Sequence, residues 1–228
     1  MEPRELAGKA PPPSPDLLRA TAGGGAVRTR RPGRALAIVI ALSLLYAIGL
    51  MTAVFRGARK DLAAQPLAFM IGIGLAWALG FVAPLALALV PPRRQVLPRV
   101  AAARLAAALA SFGLVALSLL LARAVPGESL VAADGAQLAH ATLRCFGVAM
   151  VVAVVPLAAG MIALKRALPV GARAIGAALG AAGGALGGLV LHLHCAWAEP
   201  LHVALGHGGA VVAGALAGAL LAPLVIDQ

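Results

Sequence analysis

From Ala35 onward the chain is built of six apolar stretches of about twenty residues each, separated by short basic or turn-forming segments. As a helix, a stretch of that length crosses the roughly 30 Å hydrocarbon core of a bilayer and satisfies its own backbone N–H and C=O groups, which lipid cannot do. The expected fold class is therefore all-α: a polytopic membrane protein with six transmembrane helices, whose first partner is the lipid bilayer. The spans read at about 35–55, 66–90, 105–122, 145–164, 174–193 and 203–224, a six-helix transmembrane domain over 35–225 behind a flexible basic tail over 1–34. With 61% of residues hydrophobic and 12% charged, a soluble domain is excluded. The first apolar run is too long for the core of a signal peptide, so no secretory leader is expected.

The formal charge of +11 invites a nucleic-acid reading, but the basic residues sit in clusters between the apolar runs, where positive charge sets membrane topology. No direct nucleic-acid contact is expected. Six spans put both termini on one side. Of the 19 Lys and Arg, the tail and the connections after spans two and four hold fourteen, and the opposite side holds five. The positive-inside rule then makes the chain N-in and C-in, a multi-pass protein of the inner membrane. Arg56, Arg59 and Lys60 run against that trend.

The tail up to Arg34 is rich in Pro and Gly and cannot bury a core. Within it Ser14 and Pro15 make a helix start, followed by Asp16, Leu17, Leu18 and Arg19. Two readings stand for these four residues: part of a plain leader, or a docking motif that folds on a cytoplasmic partner. Span five holds Gly176, Gly180, Gly183, Gly184, Gly187 and Gly188, giving four overlapping Gly-x-x-x-Gly pairs. A helix with such a face packs closely against neighbours, so it is expected either at the centre of the bundle or in a homo-oligomer interface.

Nearly all the reactive side chains lie between Leu189 and His207, which holds Cys195, His192, His194, His202 and His207. The chosen topology places this segment on the outer face together with Cys145, at the start of span four. Three readings compete. Cysteine and histidine are ordinary interfacial side chains. Alternatively, Cys145 and Cys195 are a redox pair, with Cys145, near a helix amino end, as the attacking thiol. Or cysteines and histidines together hold a soft-to-borderline ion such as zinc or copper, although His192-x-His194-Cys195 follows no standard zinc spacing. No enzyme activity is expected: Glu199 is the one nearby acid, and neither an oxyanion-hole motif nor a phosphate loop appears. A small-solute or metal-ion transporter entered through the histidines is the alternative function, but the span centres carry only Ser43, Thr52, Ser111 and Ser118 as polar residues.

The basic tail, the six spans, the cysteine opening span four and the Ala-Leu-Pro-Val-Gly-Ala-Arg turn at 167–173 form one pattern with the segment that follows. That segment is a glycine-rich span ending Leu-His-Leu-His-Cys, with His202 and His207 before a last helix of small residues. The whole resembles the NrsF-type membrane anti-sigma factors over about residues 14–224. The resemblance implies a cytoplasmic extracytoplasmic-function sigma factor as partner. It also implies two periplasm-facing cysteines engaged in the response, by position Cys145 and Cys195.

Overall fold

The computed structural model describes residues 32–90, 96–121, 135–165, 171–197 and 199–226, and within them every regular element is helical. Six helices are long and apolar enough to cross a membrane: α1 (Pro32–Ala53), α2 (Leu67–Leu89), α3 (Val100–Leu120), α4 (Gly135–Leu164), α5 (Ala172–His194) and α6 (Pro200–Val225). The tail residues Asp16, Leu17, Leu18 and Arg19 lie outside the described part.

The helices α1, α3, α4 and α6 start three to ten residues before the sequence expectation, and the starts of α1 and α4 have clear causes. α1 begins at Pro32, where the fixed φ of proline suits a first helical position. α4 begins at Gly135 rather than near residue 145. Its polar early residues, including Gln137, His140 and Arg144, look like a connection. In a helix of 30 residues, about 45 Å long, they are simply the turns that project past the hydrocarbon. Cys145 therefore sits well inside the helix. It is beyond the first turn, where a helix dipole would favour a thiolate, which corrects the expectation that it lies at a helix amino end.

The hub of the bundle is α5, 89% buried along its apolar window against 17% to 39% for the other five helices. Its glycines explain this. A β-carbon on Gly180 would lie 1.8 Å from the carbonyl oxygen of Gly214, and one on Gly184 would strike Ala210 and Val211, so α5 and α6 meet backbone to backbone. On another side Gly183 and Gly187 face Ala153 and Ala149 of α4, and Gly188 receives the ring of Trp77 from α2. Of the two expectations for the glycine face, the central position is the one realised, and its glycines are used within the chain. Large side chains such as Leu45, Leu67, Phe112 and Leu220 point outward and are mostly exposed. In water so much exposed apolar surface would drive association; against lipid tails it costs nothing. The hydroxyls of Ser43, Thr52 and Ser118 donate to the carbonyls of Val39, Ile48 and Leu114 one turn back, so these polar side chains sit in apolar helices without an unmet donor.

The connection between α1 and α2 does not hang free. It turns through Arg56 and Gly57, both at positive φ, then lays Arg59 and Asp61 over the end of α5. The Arg59 backbone N–H donates to the Leu193 carbonyl at 2.9 Å, satisfying one of the acceptors a helix leaves open at its carboxyl end. Its guanidinium grips the Asp61 carboxylate through two nitrogens at 2.6 and 2.5 Å and reaches the Ala196 carbonyl at 3.4 Å. Arg59, one of the three basic residues that run against the charge trend, is thus neutralised locally by an acid two positions on.

Candidate functional site

Where α4, the end of α5 and the start of α6 meet, a small cluster separate from the main core packs Cys195 with Ala149, Leu191 and Ala210, flanked by Cys145, Phe146 and Trp197. Local backbone chemistry puts the reactive groups there. α5 ends at His194, so Cys195 is its extended cap, with its N–H still bonded to the Leu191 carbonyl at 2.7 Å. Pro200 restarts the chain as α6 after the Glu199 cap, which sets His202 in the first turn. A π turn over Val203–Gly208 then carries His207; such widened turns recur at functional positions. A β-carbon on Gly206 would lie 3.3 Å from the Thr142 carbonyl oxygen and 3.4 Å from the Cys145 β-carbon, so α6 runs close beside α4 here.

The result is a tight constellation. The sulfurs of Cys145 and Cys195, both free thiols, lie 3.7 Å apart, with Cys145 the donor. His202 Nε2 is 3.4 Å from Cys195 Sγ, and the His207 ring meets His202 edge-on with centroids 5.5 Å apart. One ligand atom from each of Cys145, Cys195, His202 and His207 falls within 4.8 Å of all the others. His202 is fully buried, His207 is 3% exposed, and the His207 Nε2 has no hydrogen-bond partner among the described residues.

Thr142 sets the proton arrangement. Its hydroxyl donates its one proton to the Leu138 carbonyl at 2.7 Å, so toward His202 Nδ1, at 3.1 Å, it can only accept. Nδ1 therefore carries the hydrogen, and Nε2 turns a lone pair toward Cys195. Past the end of α5, the Cys195 thiol is held well below the ordinary thiol range. The hydrogen bond from Cys145 is the largest cause, against the opposing effect of burial.

The other two candidate histidines face elsewhere. His192 Nε2 is 3.2 Å from the Met70 carbonyl, beside Phe69, and His194 Nδ1 is 3.0 Å from the Gly57 carbonyl with its ring against Phe55. They fasten the end of α5 to α2 and to the preceding connection. His140 is exposed on α4. Thr142 escaped the sequence reading because the helix was started too late. With α4 begun at Gly135, Thr142 and Cys145 stand three residues apart on one helical face.

A bundle of six apolar helices around a glycine-rich hub, with thiols and imidazoles gathered at one end, defines the class as a multi-pass membrane protein. The chain belongs to the NrsF family, described as negative regulator of sigma F, whose model matches residues 21–227. The family name describes negative regulation of a sigma factor, which makes such a factor the partner and transcription the process regulated. No curated protein and no solved structure matches the chain.

Proposed function

We propose that this protein is an inner-membrane anti-sigma factor that holds an extracytoplasmic-function sigma factor at the cytoplasmic face and releases it when the outer Cys/His cluster receives a redox or metal signal. The observation that carries the reading is the family match along nearly the whole chain. Supporting the orientation is the excess of Lys and Arg, fourteen against five, on the side of the termini. On that side lie the tail with Asp16, Leu17, Leu18 and Arg19 and the connection at Lys165, the surfaces available to a soluble partner.

A route for the signal follows from the packing. Cys195 caps α5, which packs against each of the other five helices, so a change at the cluster acts on the whole bundle through its hub. Because α5 contacts α4 and α6 through backbone at Gly180, Gly184 and Gly187, these helices move as packed bodies rather than by bending side chains. The test is co-purification. The full chain should retain a sigma factor in membranes, and a chain lacking residues 1–25 but keeping Arg28 to Arg34 should insert normally and lose it. Retention by the truncated chain would move the binding surface to the inner connections, and no sigma factor on the full chain would end the proposal.

A further inference from the structure

The cluster at the head of α5 has the composition and spacing of a metal site rather than of a thiol pair alone. In a tetrahedral site with metal–sulfur bonds of about 2.3 Å and metal–nitrogen bonds of about 2.0–2.1 Å, the two sulfurs lie about 3.8 Å apart and each sulfur about 3.6 Å from each nitrogen. The sulfurs here are 3.7 Å apart, and Cys195 Sγ is 3.4 Å from His202 Nε2. Two edges of the tetrahedron are thus already at length. All four ligand atoms fall within 4.8 Å of one another, so closing the shell needs side-chain movements of about 1 Å.

Two further observations point to a ligand. Among the described residues the buried Nε2 of His207 has no hydrogen-bond partner, and a buried imidazole nitrogen is costly to leave unmet. Thr142 meanwhile spends its proton on Leu138 and accepts from His202 Nδ1, which leaves the His202 Nε2 lone pair facing the sulfurs. An acceptor on the far nitrogen of a ligating histidine fixes its tautomer and ring orientation, and here the Thr142 hydroxyl oxygen is that acceptor.

We propose that Cys145, Cys195, His202 and His207 form a two-cysteine, two-histidine site for a divalent, tetrahedrally coordinated cation of the zinc class, with Thr142 as the residue that positions His202. This rests on the regulator reading and names the ligand of its sensing site. Charge decides the class of ion. Two thiolates and two neutral imidazoles balance a divalent cation, so the filled site is neutral at a depth where an uncompensated charge would be expensive. A monovalent ion would leave one negative charge buried. On binding, the ion displaces the thiol protons of Cys145 and Cys195 to solvent; no electron is transferred. Cys145 is the less buried of the two residues and marks the side from which the ion enters.

The experiment uses the full chain in detergent, reduced and metal-free, titrated with Co2+ and then Zn2+. The expected result is one Co2+ per chain, with the intense visible bands of tetrahedral coordination and a thiolate-to-cobalt charge-transfer band, both abolished by Zn2+. Cys195→Ser should remove the charge-transfer band and weaken binding at least 100-fold. Thr142→Val should keep the stoichiometry and spectrum but weaken binding about 10- to 100-fold, as loss of an outer-shell partner does, and Thr142→Ser should restore it. His140→Gln, outside the cluster, should bind as the unaltered chain does. Because His207→Gln lies in the packed interior, its loss of binding counts only if its thermal unfolding matches that of the unaltered chain.

No saturable Co2+ uptake, the pale spectrum of octahedral oxygen coordination, or equal uptake by the Cys145→Ser, Cys195→Ser double variant would overturn the site. If uptake is absent but a sigma factor still co-purifies, the site falls and the regulator reading stands. If the tetrahedral spectrum appears and no sigma factor is retained, the site stands and the regulator reading falls.

Discussion

Cys145 and Cys195, 50 positions apart in sequence, place their sulfurs 3.7 Å from each other, one from inside α4 and one from the cap of α5. That contact joins two helices whose opposite ends flank the basic connection at Lys165, so anything that binds or bridges the sulfurs fixes the spacing of both helices at once. Substituting either cysteine by serine should abolish the response to the signal while leaving basal repression in place. The double variant should be no worse than either single one, because the pair acts as a unit. A reporter for the sigma factor's target genes reads this, and a normal response in the double variant would reduce the sulfurs to packing.

Orientation is best tested away from these cysteines, because Cys195 is buried and Cys145 only partly accessible. In the double serine background, Lys60→Cys and Lys165→Cys place single thiols at exposed positions on opposite faces. An impermeant thiol reagent should label the first in intact spheroplasts and the second only after the membrane is opened. The reverse pattern would invert the topology and move the cluster to the cytoplasmic side.

Glycine has a different meaning at different places in this bundle. Gly180→Val forces a side chain into the Gly214 carbonyl, and separating α5 from α6 should cost about 2–3 kcal/mol, visible as a lower unfolding temperature in detergent. Gly49→Ala in α1 meets nothing within 4 Å and should be neutral or stabilising by up to about 1 kcal/mol. Equal losses from the two variants would contradict the central placement of α5.

The connection carrying Arg59 and Asp61 covers the backbone on both sides of Cys195, through Leu193 and Ala196. Arg59→Ala should raise the rate of Cys195 alkylation several-fold at unchanged total thiol content. The Arg59 guanidinium beside Asp61 holds its carboxyl below the usual carboxylate range, with the Gln65 amide adding a smaller hydrogen bond. Since the folded value is depressed, this contribution is fully present above the unfolded value of about 3.9 and is lost as pH falls through the folded one. Protection of Cys195 should therefore persist at pH 5 in the unaltered chain. Protection that fades between pH 7 and 5 would show that the ion pair does not hold the connection down.

How far the sequence reached is clearest at α5. Its glycines, spaced at helical intervals, announced a close-packed face without saying which neighbours would use it; Ala210, Gly214 and Gly218 on α6 and Ala149 and Ala153 on α4 supply them only in three dimensions. The start of α4 was misplaced by the polarity of residues 137–144, since hydropathy marks where hydrocarbon begins, whereas a helix continues for as long as its backbone bonds do. The anomaly at Arg59 was visible as a charge on the wrong side. Its resolution needed the fold of the connection onto Leu193.

By itself the sequence determined that this chain is a helical membrane protein with six spans, because runs of apolar residues about twenty long have one stable solution in lipid. It also confined the reactive groups to one end of the bundle, because span order and span length fix the depth of every residue. What only the tertiary structure decided is which of them meet. Depth leaves rotation about each helix axis free, and packing against α4, α6 and the Arg59 connection sets that rotation. It turned His192 and His194 toward backbone carbonyls, and brought His202 and His207 in beside the two sulfurs with Thr142 behind them.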